Sequence, residues 1–190
     1  MAKVLYKGLE GTVLVPSGLF LDRSDGGHLI VNPPRDVWEC SDLTADELVR
    51  WSFLVAAAGR AMIDALPQLE GGCVNYFEAG NWALNDAAPP RGPKTAPKHR
   101  RMHLHIFGRS RAARHPSWQW GEAPRLPLYR DRKAFSAAFK PLDAKECAAV
   151  ARRLKSLLAA RYAELTRSGT VHGPGTSNRL GPSHLSGGTP

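Results

Sequence analysis

The sequence lacks the features of several protein classes. No apolar run approaches the roughly 20 residues that a helix needs to cross a bilayer, and residues 1–6 lack the apolar core of a secretory signal. Only three cysteines occur (Cys40, Cys73 and Cys147), at spacings that suit neither a disulfide framework nor a zinc site. These absences argue against membrane-spanning and disulfide-stapled classes, and they predict a cytoplasmic protein with reduced thiols.

Acidic residues are nearly absent from one segment of the chain. Between residues 86 and 114, eight Lys and Arg residues accompany a single acidic residue, Asp86, so this segment supplies seven of the nine excess positive charges. Such a local excess favours an anionic ligand through electrostatic steering and direct phosphate contacts. Nucleic acid or a solvated surface would suit the same charges, so charge alone does not choose among them.

The apolar pattern predicts a mixed α and β fold with two main helices. The first should begin after Thr44, an N-cap with Glu47 at capping-box spacing, and end before Pro67. The second should begin at Asp143, with Glu146 at the same spacing, and run to about residue 165. Predicted strands cover residues 11–15, 19–21, 28–31, 73–77 and 101–107, with a hairpin turn over 22–27 and loops over 86–98 and 110–130.

The chain length suits one domain with a full-sized core. We predict that this domain spans residues 1–166. Residues 167–190 are rich in Gly, Ser, Pro and His and hold almost no apolar side chains, which predicts a flexible tail.

The most informative segment is the predicted strand over residues 101–107. Strand side chains alternate between faces, so one face should pack in the core through Met102, Leu104 and Ile106. The other face should carry Arg101, His103, His105 and Phe107. Neutral imidazole is a competent nucleophile near neutral pH, and its attack on phosphorus would form a covalent phosphoramidate. The neighbouring cations would stabilise charge on the phosphate oxygens.

Three interpretations of this histidine pair stay open at the level of the residues. Two histidines can lie on a strand without any chemistry. His-x-His can also bind zinc or iron, which requires a third ligand such as Glu78 or Asp86. Phosphate chemistry is the third interpretation, and the local cationic excess favours it over metal binding.

Three separated segments resemble the histidine-triad (HIT) superfamily, whose signature is His-φ-His-φ-His-φ-φ (φ apolar). Residues 103–109 (His-Leu-His-Ile-Phe-Gly-Arg) are similar to the last two histidines of that signature and the residues that follow it. Residues 27–33 (Gly-His-Leu-Ile-Val-Asn-Pro) resemble a strand of the family, and residues 42–48 (Asp-Leu-Thr-Ala-Asp-Glu-Leu) resemble the start of its helix. The resemblance covers roughly residues 10–110.

The resemblance implies an α+β fold with an antiparallel sheet, a homodimer, and a nucleotide bound over the sheet. It also implies that His103 is the covalent nucleophile and that His105 orients phosphate oxygens. Arg101 stands at the first triad position, where it could bind phosphate but could not replace the hydrogen-bonding partner of the nucleophile.

Further residues are candidates for substrate binding. We expect contacts from His99, Glu78, Asn81 and Arg109, where Glu78 stands at a position that is often asparagine in the family. Trp82, Trp118 and Trp120 could stack on a base, although tryptophans beside prolines more often cover the edge of a core. His28 is interpreted as a strand-end cap rather than a functional residue.

The predicted function is that of a nucleotide hydrolase or nucleotidyl transferase acting at a phosphoanhydride or phosphoramidate through a nucleotidyl-histidine. No metal or cofactor is required for covalent attack, although a divalent cation can accompany a polyphosphate substrate. Two alternatives belong to other classes: a nucleotide sensor without catalysis, and a basic nucleic-acid-binding protein. The second is less favoured because no recognition helix or aromatic RNA-binding motif accompanies the basic residues.

Overall fold

The structure is a computed structural model that describes residues 2–78 and 80–168. Its centre is a five-stranded sheet in which every neighbouring pair is antiparallel, with strand order β1-β2-β3-β5-β4. The strands are β1 (Lys3–Gly8), β2 (Gly11–Val15), β3 (His28–Asn32), β4 (Cys73–Phe77) and β5 (Leu104–Arg109). Helices accompany this sheet, so the predicted α+β class is confirmed.

At the N-terminus one strand was missed, and the predicted strand over residues 19–21 is wrong, as is its hairpin with β3 across residues 22–27. β1 was not predicted, and it forms the hairpin with β2 through a turn in which Gly8 pairs with Gly11. Residues 19–21 form no strand, because their backbone bonds to side chains instead. The amide of Leu19 donates to Ser136 Oγ at 2.7 Å, and the amide of Phe20 donates to a ring nitrogen of His28.

Both long helices begin where the sequence predicts. The helices are α1 (Ala45–Ala65), α2 (Ala96–His99), α3 (Arg132–Ala137) and α4 (Ala144–Ser168). Thr44 and Glu47 form a reciprocal capping box at the start of α1. Asp143 and Glu146 exchange the equivalent pair of bonds, both 2.8 Å, at the start of α4. The short helices α2 and α3 were not predicted.

The main core lies between the sheet and the pair α1 and α4, which pack against each other. Its fully buried members include Leu54, Met62 and Leu154 from the helices and Leu29 and Ile106 from the sheet. Burial of each such side chain contributes about 1.5–3 kcal/mol to folding. This face of the sheet is therefore occupied by helices, which leaves the opposite face for a ligand.

A smaller cluster covers part of that opposite face. Phe107 and Trp118 are buried there beside Leu21. The indole Nε1 of Trp118 donates to the carbonyl of Phe20 at 2.6 Å, which anchors the loop after β5. Trp118 thus covers a core edge and is not available to stack on a base.

None of the helices within residues 2–78 and 80–168 combines the length and apolar character that crossing a bilayer needs. The predicted flexible tail over residues 167–190 lies outside the described residues, apart from its first two positions, which end α4.

Candidate functional site

β5 positions two histidine rings side by side. His105 is the second residue of the strand, paired with Ile30 of β3, and His103 directly precedes the strand. The predicted alternation holds, since Met102 and Ile106 are buried in the helical core while His103 and His105 lie on the other face. The Nε2 atoms of His103 and His105 are 3.1 Å apart.

A third histidine, His28, lies directly behind this pair. It begins β3, opposite Phe107, and its Nε2 lies 2.9 Å from Nδ1 of His105. The side chain is almost fully buried. The sequence interpretation of His28 as a strand-end cap missed this contact, although residues 27–33 had been singled out as part of the family resemblance.

Hydrogen-bond partners at both ends fix the direction of this chain of rings. The amide of Phe20 donates to Nδ1 of His28 at 3.3 Å, so neutral His28 carries its proton on Nε2. His28 then donates to His105, and His105 donates through its own Nε2 to Nε2 of His103. His103 completes the series by donating from Nδ1 to the backbone carbonyl of Arg101 at 2.8 Å. These tautomers are assigned from the network, because it admits this single direction when all rings are neutral.

Burial keeps the two inner rings uncharged. Desolvation, with smaller contributions from the neighbouring His105 and His103, holds the pKa of His28 well below its usual value. Desolvation and the proximity of His103 lower the pKa of His105 to about 3. Both rings are therefore neutral at pH 7, and each presents one N–H in a fixed direction.

Arg101 contributes to this arrangement through its backbone. We expected that arginine at this position could not replace the hydrogen-bonding partner of the nucleophile. The acceptor for His103 is the carbonyl oxygen of Arg101, which any residue type would supply. The guanidinium lies at the rim of the cavity, where Nη1 donates to the carbonyl of Arg100 at 2.7 Å and Nε lies 3.7 Å from the exposed carboxylate of Asp36.

The histidines open into a cavity of about 910 Å³, within the range of small-molecule sites. Among the described residues, its lining holds four Lys and Arg side chains and no Asp or Glu. The polar and charged lining comprises Ser17, Lys94, His99, Arg101, His103, His105, Arg132, Lys133 and Ser136. Phe20, Trp82 and Tyr129 supply aromatic surface. This combination suits a ligand with an aromatic ring and negative charge.

Two predicted substrate-binding residues lie away from this cavity. The carboxylate of Glu78 forms an ion pair with Arg100, which also binds Glu39 at 2.5 Å. Asn81 is exposed, and it is its neighbours Gly80 and Trp82 that line the cavity. His99, at the end of α2, does line the cavity as expected.

The prediction for Arg109 is corrected. Its guanidinium is buried and donates to Oδ1 of Asn75 at 2.6 Å and to the carbonyls of Gln119 and Glu122 at 2.8 and 2.9 Å. Arg109 shares the strand face of His103 and His105, but the loop after β5 covers that face here. The side chain therefore fastens the loop and does not reach the cavity.

Two cavity cations, Arg132 and Lys133, were missed by the sequence interpretation. They begin α3, outside the basic segment over residues 86–114. No local pattern marks them, since the run Arg130-Asp131-Arg132-Lys133 resembles an ordinary solvated surface. Their position depends on how the chain between β5 and α3 packs against the sheet.

Metal ligation was one of the open interpretations of His-x-His. Within residues 2–78 and 80–168, no group of three His, Cys, Asp or Glu side chains is arranged to hold a metal ion. The proposed third ligand Glu78 is bound to Arg100.

No protein-family model matches the chain, and no curated protein matches it in sequence. Several solved structures align with more than four fifths of the chain. A histidine triad protein from Marinobacter aquaeolei is 20% identical, with a TM-score of 0.44 and coverage of 84% of this chain and 90% of its own. A Hit-like protein involved in cell-cycle regulation from Bartonella henselae is 13% identical, with a TM-score of 0.43 and coverage of 83% and 87%. A uridylyltransferase is 14% identical, with a TM-score of 0.45 and coverage of 83% of this chain and 41% of its own. At these identities the similarity assigns no residue a role.

Proposed function

We propose that the protein is a nucleotide hydrolase or nucleotidyl transferase that works through a covalent nucleotidyl-histidine on His103. In this proposal it is a histidine-triad protein with Arg101 at the first triad position. The observation that carries the proposal is the hydrogen bond from Nδ1 of His103 to the carbonyl of Arg101. That bond holds the proton on Nδ1, so Nε2 carries the lone pair, which accepts from His105 in the free protein.

The first chemical step is attack of His103 Nε2 on the α-phosphorus of the substrate. A nitrogen–phosphorus bond forms, and the bond from phosphorus to the leaving group breaks with its electron pair on the leaving group, which takes a proton from solvent when it is an amine. The carbonyl of Arg101 stabilises the positive charge that develops on the ring. In the second step water or another hydroxyl attacks phosphorus, the nitrogen–phosphorus bond breaks, and the attacking group loses its proton to solvent.

His105 acts as a fixed hydrogen-bond donor in both steps. Its Nε2–H points at His103 Nε2 in the free protein, at 3.1 Å. When phosphorus approaches His103, a non-bridging phosphate oxygen takes over this donor. Because the ring is buried and neutral, it stabilises the developing charge without first having to shed solvent.

The remaining contacts follow from the cavity lining. Arg101 and Lys94 attract the phosphate, and Phe20 and Trp82 supply surface against which a base can stack. Lys94 also donates to the backbone carbonyls of Asn85 and Ala88, so it holds the loop in place without losing its charge to a carboxylate.

The protein works as a homodimer in this proposal. β4 is an edge of the sheet, and its Tyr76 and Phe77 are exposed. A shallow hollow beside it is lined by Trp51, Val55 and Tyr76, and the buried Nε1 of Trp51 has no hydrogen-bond partner within the described part of the chain. A second copy on this edge would cover the rings. Light scattering of the native protein should give twice the mass of the chain. A monomeric Tyr76→Glu variant would support this edge as the dimer interface. A monomeric native protein would contradict the proposed dimer.

Intact-mass spectrometry and turnover together test the chemistry. The native protein is mixed with a fluorogenic adenosine phosphoramidate, and a covalent adenylyl adduct on His103 is expected in rapidly quenched samples. His103→Ala should lower turnover by about 10³-fold or more and abolish the adduct. Added imidazole should restore part of the lost activity, because it fills the vacated space with the same nucleophile.

Two outcomes would contradict the proposal and favour another class. Nucleotide-induced thermal stabilisation without turnover would favour the sensor. Binding to oligonucleotides that falls steeply with salt, without nucleotide turnover, would favour the nucleic-acid-binding protein.

A further inference from the structure

One face of α3 lines the cavity. Arg132, Lys133, Ser136 and Ala137 all contribute to the lining, and their spacing is that of neighbours on one side of a helix. Arg130, two residues before Arg132, does not line it. The cavity therefore has a second pair of cations that comes from a different element than the histidines.

The position of α3 is fixed by contacts of Ser136 and Phe135. Ser136 Oγ accepts the 2.7 Å hydrogen bond from the amide of Leu19, in the segment that leads to Phe20. The ring of Phe135 packs against Phe139 and His115, with centroids 4.9 and 5.4 Å apart. These contacts hold Arg132 and Lys133 at the cavity wall.

The charges of these two residues are not neutralised by the protein. Among described residues, neither Arg132 nor Lys133 has a carboxylate within ion-pair distance, and the guanidinium of Arg132 instead lies 4.3 Å from the ring centroid of Tyr129. Arg130, by contrast, does not line the cavity, and its Nε lies 3.7 Å from the carboxylate of Asp131. Two unpaired cations at a cavity wall are available to an anionic ligand.

An aromatic series separates these cations from the histidines. Phe20 lies 5.7 Å from the ring of His105 and 5.4 Å from that of Trp82. Trp82 in turn lies 6.3 Å from Tyr129, on which Arg132 stacks. A ligand can thus contact the nucleophile at one end of the series and the α3 cations at the other.

We infer that Arg132 and Lys133 bind phosphate groups of the leaving group, so that the substrate is a nucleotide whose leaving group is itself phosphorylated rather than an uncharged amine. The inference rests on the proposed function. In a transferred nucleoside 5′-monophosphate, the base and ribose are uncharged and the single phosphate sits at His103. A second anionic group in the substrate therefore belongs to the leaving group.

The test compares two adenosine substrates that differ only in the leaving group. One is the fluorogenic phosphoramidate, which releases a neutral amine. The other is adenosine 5′-triphosphate, which releases pyrophosphate, and the adenosine monophosphate formed from either substrate is measured by chromatography. In the double variant Arg132→Ala/Lys133→Ala, kcat/KM for the triphosphate should fall by about 30-fold or more, since each lost charged hydrogen bond costs about tenfold or more. The phosphoramidate should change by less than about threefold.

Arg130→Ala is the matched control, because it removes a neighbouring positive charge outside the cavity and should leave both substrates within about twofold. Equal losses on the two substrates in the double variant would overturn the inference, and so would no loss on the triphosphate.

A binding experiment separates failure of this inference from failure of the proposed function. Absence of turnover on both substrates would overturn the proposed chemistry. In His103→Ala, calorimetry should still show tighter binding of adenosine triphosphate than of adenosine monophosphate, and Arg132→Ala/Lys133→Ala added to that background should reduce this preference at least tenfold. If the preference is absent, or is unchanged by the added substitutions, the α3 cations do not bind phosphate.

Discussion

The Nε2 atom of His28 donates to Nδ1 of His105 at 2.9 Å, beneath the cavity and out of reach of a ligand. This contact joins β3 to β5 through side chains as well as through the backbone. The direction of the His105 N–H that faces His103 therefore depends on His28, a buried ring that does not line the cavity.

Stability should depend on pH because of these two rings. The unfolded chain takes up protons on both histidines near pH 6.5, whereas in the folded protein the pKa of His105 is about 3 and that of His28 is also well below its usual value. The unfolded state therefore binds more protons below pH 6.5. The free energy of unfolding should have its full value above that pH. It should then fall by about 1.4 kcal/mol per pH unit for each histidine as the solution is acidified.

Urea midpoints between pH 7.5 and 5 measure this dependence. His28→Gln, whose amide can still donate to His105 but does not titrate, should show about half of the native slope that these two groups produce. An unchanged slope in this variant would contradict the assignment of His28 as a buried neutral ring.

Arg101→Ala should distinguish the role of the Arg101 backbone carbonyl from that of its side chain. The carbonyl that accepts from His103 remains, so nitrogen NMR should still find the His103 proton on Nδ1. Loss of the cation should raise KM by about tenfold and change kcat by less than about threefold. A shift of the tautomer, or a kcat loss as large as that of His103→Ala, would mean that the side chain itself holds the nucleophile.

Arg109→Met should destabilise the fold. The substitution leaves Oδ1 of Asn75 and the carbonyls of Gln119 and Glu122 without their donor, so a loss of about 2–4 kcal/mol in unfolding free energy is expected. Arg111→Met is the control, since that guanidinium is exposed and lies over Trp120 at 5.0 Å; it should cost about 1 kcal/mol or less. Nucleotide affinity that falls in Arg109→Met without loss of stability would restore Arg109 as a ligand-binding residue.

Gly108→Ala should be strongly destabilising. A Cβ at Gly108 would collide with the backbone carbonyl of Gly26, and one at Gly26 would collide with that of Gly108. Backbone atoms cannot yield as a flexible side chain can, so a loss of about 2 kcal/mol or more is expected in thermal or urea unfolding. In Gly18→Ala, where the new Cβ would meet no atom within 4 Å, stability should stay within about 0.5 kcal/mol of the native value.

Local signals in the sequence predicted the long helices well. The capping boxes at Thr44 and Asp143 depend on residues three positions apart, so they can be recognised from the sequence without knowledge of the rest of the fold. β1 was missed because its residues show no clear alternation and its existence depends on pairing with β2. Residues 19–21 are apolar, with Leu19 and Leu21 buried, and a three-residue apolar run does not distinguish a strand from an ordered loop.

The candidate site was predictable only as far as strand alternation reaches. That alternation brought His103 and His105 to one face, but the predicted strand ended at residue 107, so it revealed neither the position of Arg109 nor the loop that covers it. The role of His28 depends on a partner 77 positions away. Arg132 and Lys133 reach the cavity only because α3 is held there by Ser136 and Phe135.

The ion pairs of Arg100 have a consequence for the orientation of the His103 ring. Arg100 ties the residue just before Arg101 to Glu39 and Glu78, two carboxylates from separate loops. Gly80 leaves room for its guanidinium, since a Cβ there would overlap it. Through Arg100, Glu78 and Gly80 therefore constrain the backbone next to Arg101, whose carbonyl accepts from Nδ1 of His103.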